Sequence, residues 1–189
     1  MITQIILPDE SQRLKGDAPS IFLGGTIEQG AAEDWQKAST EYLSGIACSV
    51  AVVNPRRPKW DPTLRQSVDE PVFKEQVTFE LDHLERVDAV LLWFEPASKS
   101  PISMLEFGLL CGWVSRGSLK KLVVGCPQGF WRRGNLEVMC ERYKIDLVPT
   151  LDEALRLTVD LACRNFDRKT ACVTSLVKDL LNTPVQLGR

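Results

Sequence analysis

Asp88-Ala-Val-Leu-Leu-Trp-Phe94 is a short, nearly unbroken apolar run, and it leads into Glu95-Pro-Ala-Ser-Lys-Ser-Pro-Ile-Ser-Met-Leu-Glu-Phe-Gly108. An apolar run of this length is typical of a strand that is buried on both faces, as the strands of parallel sheets are. Ser100 and Pro101 then predict the start of a helix, because a hydroxyl residue is favoured at the N-cap and proline in the first turn. The stretch therefore predicts a strand, a loop and a helix in succession.

Glu106 is the unusual residue of this predicted helix. At about 100° per residue, the helix is expected to gather Ile102, Leu105, Leu109, Leu110 and Trp113 on one apolar face around Glu106. A carboxylate there is costly unless it is paired with a buried arginine, lies at a solvated edge or is used in chemistry. The position favours a functional role, because open α/β sheets bind ligands at the carboxyl ends of their strands and helix N-termini attract anions. Burial is expected to raise the pKa of Glu106 unless the helix N-terminus offsets it.

Size and composition are those of an ordinary globular protein. The 189 residues are enough for one domain with a full core, which we expect to span 1–189. The net charge of -2 gives no electrostatic reason to expect nucleic acid or an anionic membrane as a partner. No apolar run approaches the ~20 residues of a membrane span, and the N-terminus lacks the features of a signal peptide. We therefore expect a cytoplasmic protein.

The cysteine and histidine content argues against a metal site. The six cysteines are scattered without a C-x-x-C pair, and because most of them lie inside apolar segments they are interpreted as small buried hydrophobic residues in a reducing compartment. The single histidine, His83, is expected on a helix surface and has no second histidine with which to bind a metal. The sequence thus predicts neither a metal nor a cofactor.

Four further apolar segments predict strands, at 20–23, 46–53, 121–126 and 145–148. Helical patterns lie between the strands, and a last helix is expected near 170–181. The core of the domain would span about 20–160, after an N-terminal arm at 1–18 in which Ile5-Ile6-Leu7 could be a short strand, and before a C-terminal helix at 165–189. The alternation predicts an α/β fold, with a five-stranded, parallel, doubly wound sheet of flavodoxin-like or Rossmann-like type and helices on both faces.

Gly24, Gly25 and Thr26 follow the first predicted strand. Paired glycines at this point either let the backbone approach a ligand closely or simply form a tight turn. They do not complete the G-x-G-x-x-G motif of dinucleotide sites. Right-handed crossovers and the common strand order 2-1-3-4-5 would bring this turn next to the loop that precedes Glu106.

Two more segments could contribute to the same site. Arg56 and Arg57 follow the second predicted strand, where they could either reach an anionic ligand or remain solvated. In the helix predicted over 71–86, Glu80 lies at the shoulder of the apolar stripe. Two carboxylates, Glu80 and Glu106, would then converge on one strand end, and this convergence indicates a site.

Four segments together resemble the nucleoside 2-deoxyribosyltransferase family, in particular its "like" branch, which is also similar to the 2'-deoxynucleoside 5'-phosphate N-glycosidases. The segments are Phe-Leu-Gly-Gly-Thr-Ile (22–27), Asn-Pro-Arg-Arg (54–57), Glu80 placed eight residues before Asp88, and Ser-Pro-Ile-Ser-Met-Leu-Glu-Phe-Gly (100–108). The resemblance covers about residues 20–160 in the same order.

The resemblance implies exchange of the base on a 2'-deoxyribonucleoside. The nucleophilic glutamate of the family matches Glu106, which would attack the anomeric carbon and form a covalent deoxyribosyl-enzyme. A second base, or water, would then take up the sugar with net retention. Glu80 matches an acidic position that contacts the base and assists its protonation. The residues expected to bind the substrate are Gly24, Gly25, Thr26, Ile27, Asn54, Arg56, Arg57, Ser100 and Ser103.

Two positions differ from the family pattern. Ser100 stands where transferases usually carry an Asp and where the nucleotide N-glycosidases carry a phosphate-contacting Ser. Phe22 stands where a Tyr commonly hydrogen-bonds the nucleophile. The first hypothesis is a deoxyribosyltransferase, and the alternatives are an N-glycosidase that hydrolyses 2'-deoxynucleoside 5'-monophosphates and a catalytically silent nucleotide-binding module.

The expected partners are small molecules, namely a deoxyribonucleoside or deoxynucleotide and a free base. Relatives assemble as homo-oligomers that complete the pocket from a neighbouring subunit, so a homo-oligomer is expected here as well. Trp60 and Trp131 would suit such a contact.

Overall fold

The computed structural model describes residues 1–8, 13–28, 32–46, 48–58, 61, 63–117 and 121–171, together with the backbone of 172–182. Within these residues the strands are β1 (Ile2–Ile6), β2 (Ser20–Gly25), β3 (Val50–Val53), β4 (Ala89–Trp93), β5 (Leu122–Gly125) and β6 (Asp146–Val148). The helices of the same residues are α1 (Trp35–Ser44), α2 (Pro71–Arg86), α3 (Pro101–Ser115), α4 (Arg133–Tyr143) and α5 (Leu151–Asn182).

All six strands belong to one parallel sheet of order β1-β3-β2-β4-β5-β6. Every residue of β3, β4 and β5 is buried, as is required when helices cover both faces. The predicted α/β class and doubly wound arrangement are confirmed. The first and third predicted strands are also adjacent, as predicted, because Phe22 of β2 pairs with Val90 of β4 and Gly25 pairs with Trp93.

The sheet separates two apolar layers, because right-handed crossovers place helices on both of its faces. On one face, Leu84 of α2, Phe107 of α3 and Leu136 of α4 share a core cluster with the sheet. On the other face, Trp35 of α1 and Leu155 of α5 belong to a second cluster. The side of the sheet that carries α2 and α3 is therefore the side on which both candidate carboxylates lie.

The N-terminal segment forms a sixth strand instead of an arm, so the prediction of five strands was wrong. β1 pairs in parallel with β3, for example Ile5 with Val52. It is an edge strand in which exposed and half-buried residues alternate before Ile6, so its sequence shows no continuous apolar run. The second predicted strand is shorter than expected, because β3 begins only at Val50, while the carbonyls of Ile46 and Cys48 accept hydrogen bonds from the terminal ammonium group.

Leu151–Asn182 is one continuous helix, and the separate helix predicted near 170–181 was wrong. α5 passes through Thr170 without a break, and the hydroxyl of Thr170 donates to the carbonyl of Phe166 at 3.0 Å, a bond that a helix accommodates. None of the helices in the described part of the chain is long and apolar enough to span a membrane.

α5 is attached to the amino end of β4 through Asp88, which is buried. Lys169 donates to the Asp88 carboxylate at 2.6 Å, and Asn165 donates to the Asp88 carbonyl at 2.9 Å. The carboxylate also accepts from the backbone N–H and the hydroxyl of Ser20 at 2.9 and 2.7 Å. We name these four residues the Asp88 cluster.

One expectation about a single residue was wrong. His83 is buried in α2, because its Nδ1 lies 2.8 Å from the carbonyl of Phe79 and its polar ring is satisfied within the helix. Cys48 and Cys163 are only half-buried, and their free thiols lie with Sγ atoms 3.1 Å apart. Cys111, Cys126 and Cys140 are buried, so most of the cysteines that the structure describes are buried as expected.

Candidate active site

A cavity of about 440 Å³ lies beyond the carboxyl ends of β2 and β3, between α2 and the start of α3. This volume is within the range of sites that bind small molecules. The sequence-predicted residues that line it are Gly24, Gly25, Thr26, Ile27, Arg57, Glu80, Ser100, Ser103 and Glu106. The structure thus brings together segments that follow three different parts of the sheet.

Asn54 and Arg56 do not line this cavity. The Asn54 side chain accepts a hydrogen bond from the backbone N–H of Arg56 at 2.9 Å. The Arg56 guanidinium donates to the carbonyls of Ala32 and Glu33 at 2.8 and 3.0 Å, so it fixes the segment that precedes α1. Asn54 and Arg56 therefore stabilise segments next to the cavity without lining it.

The glycine pair is explained by the neighbouring strand. A Cβ atom on Gly25 would lie 2.2 Å from the Trp93 carbonyl oxygen, and the φ of +140° at Gly25 is one that other residues rarely adopt. A Cβ atom on Gly24 would lie 2.8 Å from the Leu92 side chain. Close packing of β2 on β4 therefore requires both glycines, and it leaves Thr26 at the cavity.

Glu106 does not lie in the middle of the apolar face that periodicity predicted. The buried face of α3 is formed by Ser103, Phe107, Leu110 and Cys111, whereas Ile102 and Leu105 are 59% and 72% exposed. Because α3 is apolar almost all the way round, its sequence pattern could not select the buried face. Glu106 lies beside Phe107 at the edge of the buried side and lines the cavity.

Burial, with a smaller contribution from the charge of Glu80, raises the pKa of Glu106 to about 8. The expected rise is thus confirmed. Among the residues that the structure describes, none donates a hydrogen bond to Glu106 or forms an ion pair with it, so the buried arginine partner considered above is not found there. Phe22 is fully buried and is not one of the lining residues.

Glu80 has partners on its own helix and on the β3–α2 loop. Gln76, one turn earlier on α2, donates to the Glu80 carboxylate at 2.7 Å and to the Pro55 carbonyl at 2.9 Å. Arg57 donates to the Gln76 side-chain oxygen at 2.6 Å. Burial raises the pKa of Glu80, and the Gln76 hydrogen bond and the Arg57 charge oppose this rise. Gln76 was missed from the sequence, although its spacing of four from Glu80 puts both on one helix face.

Three hydroxyl groups form a cluster at the start of α3. Ser100 has a left-handed backbone with φ of 46°, and its side chain does not cap the helix. Its hydroxyl lies 2.6 Å from that of Thr26 and 2.7 Å from that of Ser98. Thr26 also accepts from the backbone N–H of Glu95 at 3.0 Å, so the ends of β2 and β4 are joined here.

Glu28, which the sequence reading missed, adds a carboxylate to this cluster. It lines the cavity and accepts hydrogen bonds from the Ser98 hydroxyl and from the backbone N–H groups of Lys99 and Ser100, the latter two at 3.2 and 3.3 Å. The Ser98 hydrogen bond is the main cause that lowers the pKa of Glu28, against a smaller effect of burial. The only sequence signal was an acidic residue just beyond the glycine turn.

Within the described residues, no three His, Cys, Asp or Glu side chains converge as metal ligands would. No curated protein sequence is similar enough to the chain to count as a match. A family model described as "Nucleoside 2-deoxyribosyltransferase like" matches residues 18–130, which is more than half of the chain and contains every lining residue of the cavity. The chain therefore belongs to the nucleoside 2-deoxyribosyltransferase-like family.

Proposed function

We propose that the protein transfers 2-deoxyribose from a deoxyribonucleoside to a free base, with Glu106 as the nucleophile and Glu80 as the acid. Membership of the family supports a role in glycosyl transfer or glycosidic bond cleavage. The observation that most strongly supports the finer proposal is that two carboxylates with raised pKa values line one cavity.

The two carboxylates are suited to divide the chemistry between them. Burial raises the pKa of both carboxylates, and the charge of Glu80 adds to the rise at Glu106, so simultaneous ionisation of the two is disfavoured. Positive charge that develops at the anomeric carbon favours the ionised form of Glu106. A proton is then held on Glu80, from which it can pass to the departing base.

In the first step, a Glu106 oxygen forms a bond to the anomeric carbon while the N-glycosidic bond breaks. The bonding electron pair leaves with the base nitrogen, and the base takes the proton from Glu80. In the second step, a nitrogen of the incoming base attacks the same carbon, Glu106 leaves as a carboxylate, and the incoming base returns a proton to Glu80. Two inversions at one carbon give net retention.

The test is incubation of the protein with deoxyinosine and a second base, followed by product analysis. We expect the deoxynucleoside of the second base to form, and the Glu106→Ala variant to abolish it. Glu75→Gln is a suitable control, because Glu75 is an exposed carboxylate on α2 outside the cavity.

Other products would identify the other candidates. Hydrolysis is the second candidate, because the Ser100 hydroxyl lines the cavity at the position where a nucleotide N-glycosidase carries a serine. With deoxyinosine 5'-monophosphate as the substrate, it would give free base and 2-deoxyribose 5-phosphate whether or not a second base is added. A silent binding module would show no turnover, and Glu106→Ala would retain the ligand affinity of the wild type. Either result would contradict the transferase proposal.

We also propose that the protein forms a homo-oligomer through the surface beside the cavity. The exposed apolar side chains of α2 and α3 there are Val72, Val77, Leu81, Ile102, Leu105 and Leu109, which we name the α2–α3 surface. Val77 and Ile102 also line the cavity, so a second copy seated on this surface would cover the cavity mouth. Trp131 is 53% exposed and donates to the Lys99 carbonyl near the same edge, whereas Trp60 lies outside the described residues.

A further inference from the structure

We propose that Glu28 determines the substrate class of this site, because its carboxylate occupies the hydrogen-bond donors at the start of α3 and so selects nucleosides with a free 5'-hydroxyl over 5'-phosphorylated ones. The inference rests on the proposed function and deepens it. It decides between the two substrate classes that Ser100 leaves open.

The donors that Glu28 occupies are of the kind that bind phosphate. The backbone N–H groups of Lys99 and Ser100 precede a helix of 15 residues, and the Ser98 hydroxyl lies beside them. Backbone N–H groups at a helix N-terminus, together with the helix dipole, favour phosphate oxygens. In this chain the Glu28 carboxylate accepts hydrogen bonds from these donors in place of a phosphate. Thr26 and Ser100, which lie beside them, line the cavity.

The backbone conformation at Glu28 and Ser100 determines where the Glu28 side chain lies. Glu28 and Ser100 both adopt left-handed conformations, with φ of 45° and 46°, which residues other than glycine rarely do. The hydrogen bonds between the two segments hold these conformations together. The carboxylate is therefore held against the start of α3, and a substrate group has to displace it in order to use the same donors.

Charge adds to this exclusion. Because its hydrogen bonds lower the pKa of Glu28, the carboxylate is ionised at neutral pH. A substrate phosphate would meet like charge at this end of the cavity, which disfavours binding. Removal of the Glu28 charge would leave the Lys99 N–H and the nearby ammonium group of Lys99 available to a phosphate, while the Ser100 N–H and the Ser98 hydroxyl also bond to each other's residue. A 5'-hydroxyl carries no charge and meets no such repulsion.

The experiment compares deoxyinosine with deoxyinosine 5'-monophosphate as substrates for base release. We expect the wild type to prefer the nucleoside in kcat/KM. In Glu28→Gln, which keeps an acceptor oxygen and loses the charge, and in Glu28→Ala, which loses both, the ratio of kcat/KM for monophosphate over nucleoside should rise at least about tenfold. Glu41→Gln is the control, because it removes one exposed charge on α1 away from the cavity and should leave the ratio unchanged.

Binding measurements keep this inference separate from the proposed function. Calorimetry with 2-deoxyribose 5-phosphate should detect stronger binding to Glu28→Ala than to the wild type. If the wild type turns over neither substrate, the proposed function fails, but this comparison still decides the role of Glu28. A wild type that prefers the monophosphate, an unchanged ratio in both Glu28 variants, or, where no turnover occurs, equal binding of the sugar phosphate to both proteins would overturn the inference.

Discussion

At the scale of single residues, three carboxylates around one cavity have two kinds of electrostatic environment. Desolvation dominates at Glu106 and Glu80 and raises both pKa values, while hydrogen-bond donors dominate at Glu28 and lower its pKa. One kind of side chain therefore provides both a carboxylate whose pKa is lowered and two carboxylates whose pKa values are raised.

The raised pKa of Glu106 predicts a stability effect whose sign follows from proton linkage. Between the ordinary value of 4.5 and the folded value of about 8, the folded state binds more protons than the unfolded state, so stability falls as pH rises through this window. Glu106→Gln is neutral and avoids this loss. We expect its Tm to exceed that of the wild type by at least about 2 °C at pH 9, with little difference at pH 5.

Thermal unfolding followed by circular dichroism at pH 5, 7 and 9 measures this difference. Glu75→Gln serves as the control, because Glu75 is exposed on α2. A Glu106→Gln difference that stays constant across the three pH values would show that Glu106 titrates as an ordinary surface carboxylate.

At the scale of elements, the sequence predicted what unbroken apolar runs can reveal. β4 and β5 are buried throughout, so composition alone identified them. β1 could not be assigned, because an edge strand with one partner needs no continuous apolar run. The continuity of α5 at Thr170 depends on a side chain to backbone bond within the helix, which propensity does not reveal.

The candidate site was predicted from its position after a buried strand more than from periodicity. Glu106 was found because it follows β4, although the predicted apolar face of α3 was wrong. Glu28 was missed because its role depends on donors that lie about seventy residues further along the chain, at Ser98 and Ser100. Contacts of this range are set by strand order, and a single sequence carries little information about them.

The hydrogen bonds of Gln76 within α2 predict a change in pH dependence. Gln76→Ala removes the donor that lowers the pKa of Glu80, so this pKa should rise. Because proton donation by Glu80 is lost as pH rises through that pKa, the alkaline limb of kcat/KM for base exchange should move to higher pH. The variant also leaves the Pro55 carbonyl and Arg57 without this partner, at a cost of about 1–3 kcal/mol in the free energy of unfolding.

A pH–rate profile and urea unfolding of the same preparation test both parts. Lys74→Ala, an exposed position on the same helix, is the matched control. An unmoved alkaline limb in a folded Gln76→Ala protein would contradict the assigned role of Glu80.

At the scale of the whole molecule, the two ends of the sheet have different roles. The cavity lies beyond the carboxyl ends of the strands, and the Asp88 cluster joins β2, β4 and α5 at the amino end. The Asp88 side chain is 5% exposed while that of Lys169 is 49% exposed, so the pair is covered on one side only.

Asp88→Asn should therefore destabilise the fold and spare the chemistry. The change removes the charge-assisted hydrogen bonds from Lys169 and from the Ser20 hydroxyl, and we expect a loss of about 2–3 kcal/mol in the free energy of unfolding. Urea unfolding measures the loss, and the exchange rate at 25 °C should remain close to that of the wild type. Arg164→Ala, which breaks an exposed ion pair with Asp160 on the same helix, should cost less than about 1 kcal/mol.

The α2–α3 surface predicts a change of assembly on the addition of a single charge. Leu105 is 72% exposed, and Leu105→Glu would place a carboxylate in an apolar contact between copies. Sedimentation should show an oligomer for the wild type and a smaller species for this variant. Val138→Glu alters a side chain that is 65% exposed on α4 and should leave the assembly intact. A wild type that sediments as a strict monomer would remove the proposed contact.

The distance between the Asp88 cluster and the cavity has an evolutionary consequence. If the same side chains determined both the thermal stability and the ligand specificity of a protein, a mutation that changed its specificity would also change its stability. Here the Asp88 cluster, which anchors α5, lies at the opposite end of the sheet from Glu28 and Ser100. Mutations that change ligand binding at one end should therefore leave the stabilising contacts at the other end intact.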